Sequence, residues 1–196
     1  MTDDRPLVES AIRGELSAFN QLMKSWHKRI FNFAYRYLND YDEASEVTQQ
    51  TFIKAYGAIG TLKDPGRFRA WLYIIASNGC RAHSRRAGRY ATESMNANGA
   101  GEGAAWGQLA ASENPEKQLL SRDWEKLLKR ALAQIPEDQR LVIIMKEYEG
   151  LMFHEIAEVL SESENTVKSR MYYGLKALRK VLTKWNITKE AIQYEE

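Results

Sequence analysis

The chain has 196 residues, of which 44% are hydrophobic and 28% are charged, and its formal net charge is only +2. This size and composition suit two small globular units better than one large core. Because there is no apolar run near 18 residues and no signal peptide, we expect a cytoplasmic protein rather than a membrane protein, and the single cysteine, Cys80, excludes an internal disulfide. Many apolar stripes at helical spacing, without sustained alternation, predict an all-α fold.

The first informative element is an amphipathic helix predicted over residues 42–56. Its start is marked by Asp40, which together with Glu43 can cap the free amides of the first turn. Glu46, Gln49 and Gln50 fall at i, i+3 and i+4 and therefore share one face. The opposite face carries the core candidates Ala44, Val47, Thr51 and Ala55. Such a helix can be a docking surface, or simply a solvated surface of the kind most soluble helices have.

A strongly basic stretch follows, in which Asp64 and Pro65 are typical of a helix start. Asp64 is the only acid among seven bases, which are Lys63, Arg67, Arg69, Arg81, Arg85, Arg86 and Arg89. Interleaved aromatic residues (Phe68, Trp71 and Tyr73) make the stretch suitable for a separated DNA strand, since phosphates attract cations and unstacked bases need an aromatic face. Trp71 also lies on an inward stripe, so a core role is open for it.

Between about residues 87 and 118 the chain becomes rich in Ala, Gly, Asn and Ser and shows no helical stripe. This composition is typical of a linker. A flexible segment of about 30 residues has an end-to-end distance near 30 Å and can join domains bound more than a helical turn of DNA apart. Trp106 is an apolar residue within it, and it could dock on a partner or on one of the chain's own domains.

Residues 141–182 have the spacing of a helix-turn-helix. In the first helix Ile156, Ala157 and Leu160 form an inward face, and the small Ala157 allows a second helix to cross closely. The turn follows at residues 161–163. In the second helix the predicted inward stripe is Val167, Met171, Leu175, Leu178 and Leu182, and the outward side chains are Asn165, Lys168, Ser169, Tyr172 and Lys176.

The outward set has the chemistry of a DNA-reading surface. Asn, Ser and Lys can hydrogen-bond base edges, Tyr can pack on a thymine methyl or a sugar, and Arg170 with Lys176 suits phosphates. The same pattern also fits an ordinary helical hairpin with a solvated basic face.

No catalytic pattern accompanies these elements. Cys80 and His83 form a Cys-x-x-His pair, but two ligands do not make a zinc site. His154 and Glu155 are followed by Glu158, where a metalloprotease helix needs a second His. The sequence also has no phosphate-cradling glycine loop and no nucleophile elbow, so we expect a protein that is not an enzyme, with no metal, cofactor or small-molecule substrate.

Three ordered blocks resemble a known family. They are residues 42–56 (DEASEVTQQTFIKAY), residues 62–78 (LKDPGRFRAWLYIIASN), and residues 135–170, with IPEDQR, EGL, EIA and TVKSR in order. They are similar to region 2 and region 4 of the extracytoplasmic-function (ECF, group 4) sigma factors of bacterial RNA polymerase. The chain departs from the family where Glu46 stands for Asp, Gln50 for Glu, Ile74 for Arg, Ser161 for Gly and Glu162 for an apolar residue.

The resemblance implies a domain order and a role for each block. Region 2 would span residues 1–90, a flexible linker 91–117, region 4 residues 118–186 and a tail 187–196. The polymerase clamp would be bound by Glu46, Gln49, Gln50 and Ile53. The −10 element would be melted and read by Lys63, Asp64, Gly66, Arg67, Phe68, Arg69, Trp71, Asn78, Arg81 and Arg85. The −35 element would be read by Asn165, Thr166, Lys168, Ser169, Arg170, Tyr172, Tyr173 and Lys176.

The partners implied by the resemblance are core RNA polymerase, through its clamp coiled coil and flap, promoter DNA, and an anti-sigma factor that holds the protein until a stress or envelope signal arrives. Two other classes stay open from the residues. One is a polymerase-independent regulator that binds duplex DNA as a symmetric dimer. The other is a recombinase or nuclease with a helix-turn-helix appendage, which would need a nucleophile or metal cluster that the sequence does not offer.

Overall fold

The computed structural model describes residues 4–94, 124 and 126–187, and all regular structure among them is helical. The predicted all-α fold is therefore confirmed for these residues. The N-terminal half contains α1 (Arg5–Ile12), α2 (Leu16–Leu38), α3 (Tyr41–Ala58) and α4 (Phe68–Ser94). The C-terminal half contains α5 (126–133), α6 (Glu137–Ile143), α7 (Phe153–Leu160) and α8 (Glu164–Lys184). Short 3-10 turns at Ile59–Thr61 and Pro65–Arg67 precede α4, and a π-helical turn, Ile144–Tyr148, follows α6.

The N-terminal half is built on α2, whose inward residues recur every three or four positions. Trp26, Ile30 and Phe33 are buried on this stripe, and α3 and α4 close over it. The predicted cap of α3 is confirmed, because the backbone amide of Glu43 donates to Asp40 Oδ1 at 2.9 Å. All four core candidates on α3, namely Ala44, Val47, Thr51 and Ala55, are buried. The helix therefore presents a polar face outward, as its spacing predicts.

Helix α4 starts as expected and ends later than expected. Asp64 Oδ1 accepts from the Gly66 amide at 2.9 Å, so Asp64 caps the 3-10 turn that leads into the helix. The helix then continues to Ser94, several residues past the predicted start of the linker. A single glycine, Gly88, costs a helix only about 1 kcal/mol, and each residue added to an existing helix forms one more hydrogen bond. The remaining predicted linker, with Trp106, and almost all of the predicted tail lie outside the described residues.

In the C-terminal half, α8 crosses α6 closely because it carries a glycine at the crossing. Gly174 is buried, and a Cβ there would lie 3.0 Å from Ile143 Cδ1 and 3.1 Å from Gln139 Cβ. The inward stripe is therefore Val167, Met171, Gly174 and Leu178. The predicted place of Leu175 on this stripe is wrong, since Leu175 is 45% exposed. A prediction that counts only apolar side chains misses Gly174. A glycine helps to form this core because it has no side chain and lets α6 approach closely.

The two halves pack against each other. Helix α7 lies against α4, and the π-helical turn lies against α2. Tyr37 of α2 donates to Glu137 Oε2 of α6 at 3.3 Å, and the Arg140 guanidinium lies 4.8 Å from the centre of the Tyr37 ring. The contact surface is rich in polar and charged groups, which is typical of interfaces between domains that can separate.

Candidate functional site

The helix-turn-helix is formed by α7, a turn of three residues and α8. The turn begins at Ser161, whose backbone is left-handed (φ 54°, ψ 43°), and the Glu162 amide donates to Ala157 O at 2.9 Å. Ser163 then caps α8 by accepting from the Thr166 amide at 3.1 Å. These bonds satisfy the last carbonyls of α7 and the first amides of α8. The departures at Ser161 and Glu162 are thus compatible with a tight turn.

Replacing Ser161 by Gly is expected to stabilise the protein, because a left-handed backbone is unfavourable for residues with a Cβ. Part of the gain is offset by the greater freedom of Gly in the unfolded chain, which leaves an increase of about 0.5–1 kcal/mol in the free energy of unfolding. Urea denaturation would measure it. Ser163→Gly is the matched control, since Ser163 has φ −73° and the same substitution removes a cap there. Equal loss of stability in both variants would contradict the argument.

The outward face of α8 is open to solvent. Tyr172 and Tyr173 are 65% and 57% exposed, and their rings meet edge to face at 5.3 Å. Lys168 Nζ lies 2.6 Å from Glu164 Oε1, and this hydrogen-bonded ion pair lowers the pKa of the Glu164 carboxyl. Thr166 is half-buried, and its hydroxyl pairs with that of Ser163. The exposed members of the predicted set are Asn165, Lys168, Ser169, Tyr172, Tyr173 and Lys176.

Arg170 has a different environment from the rest of this set. Its side chain is only 22% exposed, with Nη2 2.9 Å from Glu162 Oε1 and 3.5 Å from Asp138 Oδ2. Glu162 thus forms an ion pair inside the helix-turn-helix. The guanidinium of Arg170 ties the turn and α6 to α8, and its contact with a DNA phosphate stays a prediction.

The basic stretch around the start of α4 is divided between surface and core. Phe68 is 4% exposed and packs edge to face on Trp26 at 5.8 Å, so its predicted contact with bases is corrected to a core role. Trp71 is half-buried against Phe68, with ring centres 6.0 Å apart. Arg69 and Arg81 are also half-buried. The exposed members are Lys63, Asp64, Gly66, Arg67, Asn78 and Arg85.

Several of these basic groups contact the C-terminal half. Arg67 Nη2 lies 2.7 Å from Glu158 Oε2 of α7, and Arg81 Nη2 lies 3.3 Å from Asp138 Oδ1 of α6. Arg69 donates through Nη2 to the backbone carbonyl of Glu149. Sequence reasoning did not find these contacts, since no local pattern reports which distant carboxylate meets which arginine.

Glu149 is the most deeply inserted acid of this interface. Its side chain is 6% exposed, the Tyr73 hydroxyl donates to Oε2, and Arg36 Nη1 lies 3.7 Å from Oε1. Burial raises the pKa of the Glu149 carboxyl, while the bond from Tyr73 and the arginines oppose that rise. Burial and the adjacent carboxylate raise the pKa of Tyr73, which stays protonated and donates. Gly150, with φ 64°, allows the chain to turn directly after the inserted side chain.

The outer face of α3 borders an open apolar groove, called here the α2–α3 groove. Glu46, Gln49, Gln50 and Ile53 are all exposed on this face, and Ile53 is 56% exposed. The groove has a volume of about 530 Å³. It is lined by Leu16, Phe19, Asn20, Met23, His27, Gln49, Phe52, Ile53 and Tyr56. Sequence reasoning missed the contribution of α2, because the pairing of α2 with α3 and the exposure of Leu16, at 54%, are known only from the folded chain.

Within the Cys-x-x-His pair, Cys80 packs in the core. Cys80 is fully buried, and burial raises the pKa of its thiol to about 12, so the reactive thiolate is not populated near neutral pH. His83 Nε2 lies 3.7 Å from Glu46 Oε1. Within the described residues there is no group of three or more side chains that could hold a metal ion. None of the helices described there is long and apolar enough to cross a membrane.

Comparison with known proteins gives matches in both halves. Residues 22–90 match the family described as Sigma-70 region 2, and residues 125–178 match Sigma-70, region 4. The chain is 34% identical over 180 residues to the RNA polymerase sigma-H factor of Pseudomonas aeruginosa, covering 91% of this chain and 93% of that protein. It is 32% identical over 176 residues to the ECF RNA polymerase sigma-E factor of Escherichia coli, covering 89% and 92%.

Two solved structures share the fold over most of the chain. One is the sigma factor RpoE of Bartonella quintana in complex with the anti-sigma factor NepR, with a TM-score of 0.67, 21% identity, and coverage of 86% of this chain and 98% of that one. The other is CnrH in complex with the cytosolic domain of CnrY, with a TM-score of 0.66, 24% identity, and coverage of 92% and 97%.

Proposed function

The chain belongs to the ECF sigma factors, which bind core RNA polymerase and direct promoter-specific initiation, and we propose which of its surfaces carries each step. The observation that carries the proposal is the separation of three exposed surfaces. The outer face of α3 serves polymerase, the start of α4 serves −10 DNA and the outer face of α8 serves −35 DNA. We place region 2 at residues 1–90, the linker at 91–117 and region 4 at residues 118–186; the family matches over residues 22–90 and 125–178 support this division.

The outer face of α3 is the surface that docks on the polymerase clamp. Glu46, Gln49 and Gln50 are exposed beside the apolar α2–α3 groove. An apolar patch rimmed by polar groups has the composition of a protein interface, in which the apolar centre supplies affinity and the rim supplies orientation. Ile53 belongs to the outer face of α3 and also lines the α2–α3 groove. Its exposure in the free protein supports a role in binding a partner.

The −35 element is read by the exposed face of α8. Asn165, Lys168 and Ser169 lie in its first turns, where a recognition helix meets base edges in the major groove. Tyr172, Tyr173 and Lys176 continue the same side and can contact sugars, methyl groups and phosphates. Arg170 supports this face from below through its ion pairs with Glu162 and Asp138.

The −10 strand is bound at the start of α4. Lys63 and Arg67 are exposed cations in the segment that leads into the helix, and Asn78 is an exposed amide about three turns further along. Asn78 can hydrogen-bond an unpaired base, whereas Arg69, Arg81 and Arg85 can follow the strand's phosphates. Extruding a base from the duplex costs a few kcal/mol. Binding of the extruded base in a pocket offsets this cost. Phe68 and the inner part of Trp71 support the surface from the core.

The protein itself performs no chemistry in this scheme, because polymerase forms the phosphodiester bonds. We place it in the cytoplasm, where the polymerase works. An anti-sigma factor is a further partner, since the two solved relatives above are described in complexes, one of them with a named anti-sigma factor. The inducing signal would act on that partner.

Run-off transcription tests the proposal directly. Purified core polymerase is incubated with a library of promoter fragments, with and without the protein. Transcripts that begin downstream of a shared −35/−10 pattern only when the protein is present are the expected result. A protein that binds duplex DNA as a symmetric dimer, yields no transcripts and does not associate with core polymerase would instead be a polymerase-independent regulator.

Lys168→Ala is expected to weaken binding to the −35 element by about 1–3 kcal/mol and to change its sequence preference, because Lys168 lies on the exposed base-facing side of α8. Electrophoretic mobility shifts with single-base variants of the selected element would measure both. Lys180→Ala is the matched control, since Lys180 is also exposed but lies beyond the outward set. Uniform weakening on all sequences would make Lys168 a phosphate contact rather than a base contact.

A further inference from the structure

We propose that Glu164 is a specificity-determining residue for the −35 element, and that it reads a single G·C base pair together with Lys168. The guanine accepts from the Lys168 ammonium, and the cytosine amino group donates to the Glu164 carboxylate. Glu164 lies outside the set of −35 residues that the sequence predicted. The inference rests on the proposed role of the outer face of α8 and adds a base preference to it.

The first support is the position of Glu164. It is the first residue of α8, directly after the capping Ser163, and it is exposed. The N-terminal residues of a recognition helix are the ones that meet base edges in the major groove. Glu164 and Lys168 are four residues apart, so both side chains project from the same face of the helix. DNA phosphates repel a carboxylate, so a favourable contact of Glu164 with DNA has to be with a base.

The second support is the spacing of the Glu164–Lys168 ion pair. Lys168 Nζ lies 2.6 Å from Glu164 Oε1, and the two side chains are 52% and 44% exposed, so an ammonium and a carboxylate are presented side by side. The hydrogen bond from Lys168 lowers the pKa of the Glu164 carboxyl, which is therefore ionised near neutral pH and can only accept.

The base pair has a matching spacing. Guanine O6 and cytosine N4 are hydrogen-bonded to each other, so they lie about 2.9 Å apart at the edge of the major groove. The ammonium of Lys168 can therefore face an acceptor while the carboxylate of Glu164 faces a donor.

The order of donors and acceptors distinguishes this base pair from the other three. With adenine or cytosine on the lysine side, an amino group meets the ammonium and a carbonyl oxygen meets the carboxylate. With thymine there, an apolar methyl group faces the ammonium, and adenine N7, an acceptor, faces the carboxylate. Guanine alone offers two acceptors, O6 and N7, to the lysine side. Only G·C therefore satisfies both charged groups, and the other pairs leave a desolvated charge without a partner.

The third support is that the start of α8 is held in place, as a contact with one base requires. Ser163 accepts from the Thr166 amide at 3.1 Å, which fixes the first turn from which Glu164 projects. The Lys168 ammonium lies 5.9 Å from the centre of the Phe153 ring, a cation–π contact from α7. Both members of the pair thus have a neighbour that restricts their position.

A purely structural role for Glu164 is the alternative. An acid in the first turn stabilises a helix through the helix dipole, and a Glu–Lys pair at i, i+4 adds to this. Such a role acts on the stability of α8 and hence on all DNA sequences equally. It does not change the preference at one base pair, so base preference separates the two roles.

The test is selection of promoter DNA by the full chain bound to core polymerase. The fragments carry a fixed −10 element and a randomised −35 element, and the bound fraction is sequenced. Glu164→Ala and Glu164→Gln are compared with the wild type. Glu9→Gln is the matched control, because Glu9 is an exposed acid of α1 and the net charge changes equally. Glu164→Asp keeps a charge in the first turn but shortens the side chain by one methylene group.

The wild type is expected to prefer G·C about tenfold at one position of the selected element, since a good base contact discriminates by about this factor. Glu164→Ala should remove most of that preference at this position alone. Glu164→Gln should shift it toward T·A, with adenine on the side of residue 164, because Gln bonds adenine N6 and N7. Glu164→Asp should lose the preference as Glu164→Ala does, with an unchanged urea midpoint.

An unchanged base preference in Glu164→Ala would overturn the inference, and so would the same change of preference in Glu9→Gln. The two proposals fail in different ways. If Lys168→Ala alters the preference at one base pair and Glu164→Ala does not, α8 still reads the −35 element and only the role of Glu164 is wrong. If no substitution on the outer face of α8 alters any preference, the assignment of that face fails and the inference fails with it.

Discussion

Ile53→Glu is expected to weaken binding to core RNA polymerase by about 30- to 100-fold, or about 2–3 kcal/mol, and to abolish run-off transcription at protein concentrations that suffice for the wild type. Ile53 is 56% exposed and lines the α2–α3 groove, so a carboxylate there puts a charge into the apolar centre of the proposed docking surface. Leaving that charge without a partner in the complex carries a large desolvation cost. Titration of labelled protein with core enzyme would measure the loss.

Gln50→Glu is the matched control, because it adds the same charge one helical turn away on the same face. The resemblance implies a Glu at this position of the clamp-binding face, so the variant is expected to bind polymerase a few-fold more tightly. Opposite effects of the two substitutions would show that the surface has an apolar centre and a polar rim. Equal weakening by both would mean that polymerase simply disfavours negative charge here, and the role of Ile53 would be wrong.

Gly174→Val is expected to lower the free energy of unfolding of the C-terminal half by about 3 kcal/mol, a large part of the stability of a small domain. A Cβ at this site would lie 3.0 Å from Ile143 Cδ1 and 3.1 Å from Gln139 Cβ, and Gln139 Cβ is held close to the α6 backbone. Valine adds two further methyl groups, so α8 must move away from α6. Binding to −35 DNA should fall with stability, because α6 and α7 together position the reading helix.

Gly57→Val provides the comparison, because Gly57 is an exposed glycine of α3 and a Cβ added there would meet no atom of another element within 4 Å. Valine is a slightly better helix former than glycine, so this variant should be neutral or more stable by a few tenths of a kcal/mol. Urea denaturation, followed by circular dichroism, would measure the free energy of unfolding of both variants. A Gly174→Val protein as stable as the wild type would mean that the crossing of α6 and α8 is not tight.

Local signals predicted the start of α3, the start of the turn that leads into α4, and the buried face of α3. Asp40 and Asp64 cap the elements that they were expected to cap, and the core candidates on α3 are buried, because capping and amphipathic spacing depend on residues within a few positions of one another. The end of α4 was predicted too early. A glycine-containing segment can stay helical when it extends an existing helix, and composition alone does not reveal that.

The exposed face of the site on α8 could be predicted from the sequence, but the contacts of its buried residues could not. The exposed face of α8 follows from its period, but the period could not tell that Gly174, rather than Leu175, meets α6. The spacing of residues in the sequence also could not show that Phe68 packs against Trp26, or that Arg170 forms ion pairs with two acids. Each of these depends on a partner that lies far away in the chain or on another element.

The all-α class, the helix-turn-helix, the basic stretch around the start of α4 and the family could all be inferred from the residues alone, because caps, spacing and motif order are local properties. The way the halves meet, the insertion of Glu149 beside Tyr73 and Arg36, and the completion of the groove next to Ile53 by α2 are known only from the folded chain. These features depend on contacts between residues tens of positions apart. Their free energy depends on burial and on the distance between charges, and neither quantity exists until the chain has folded.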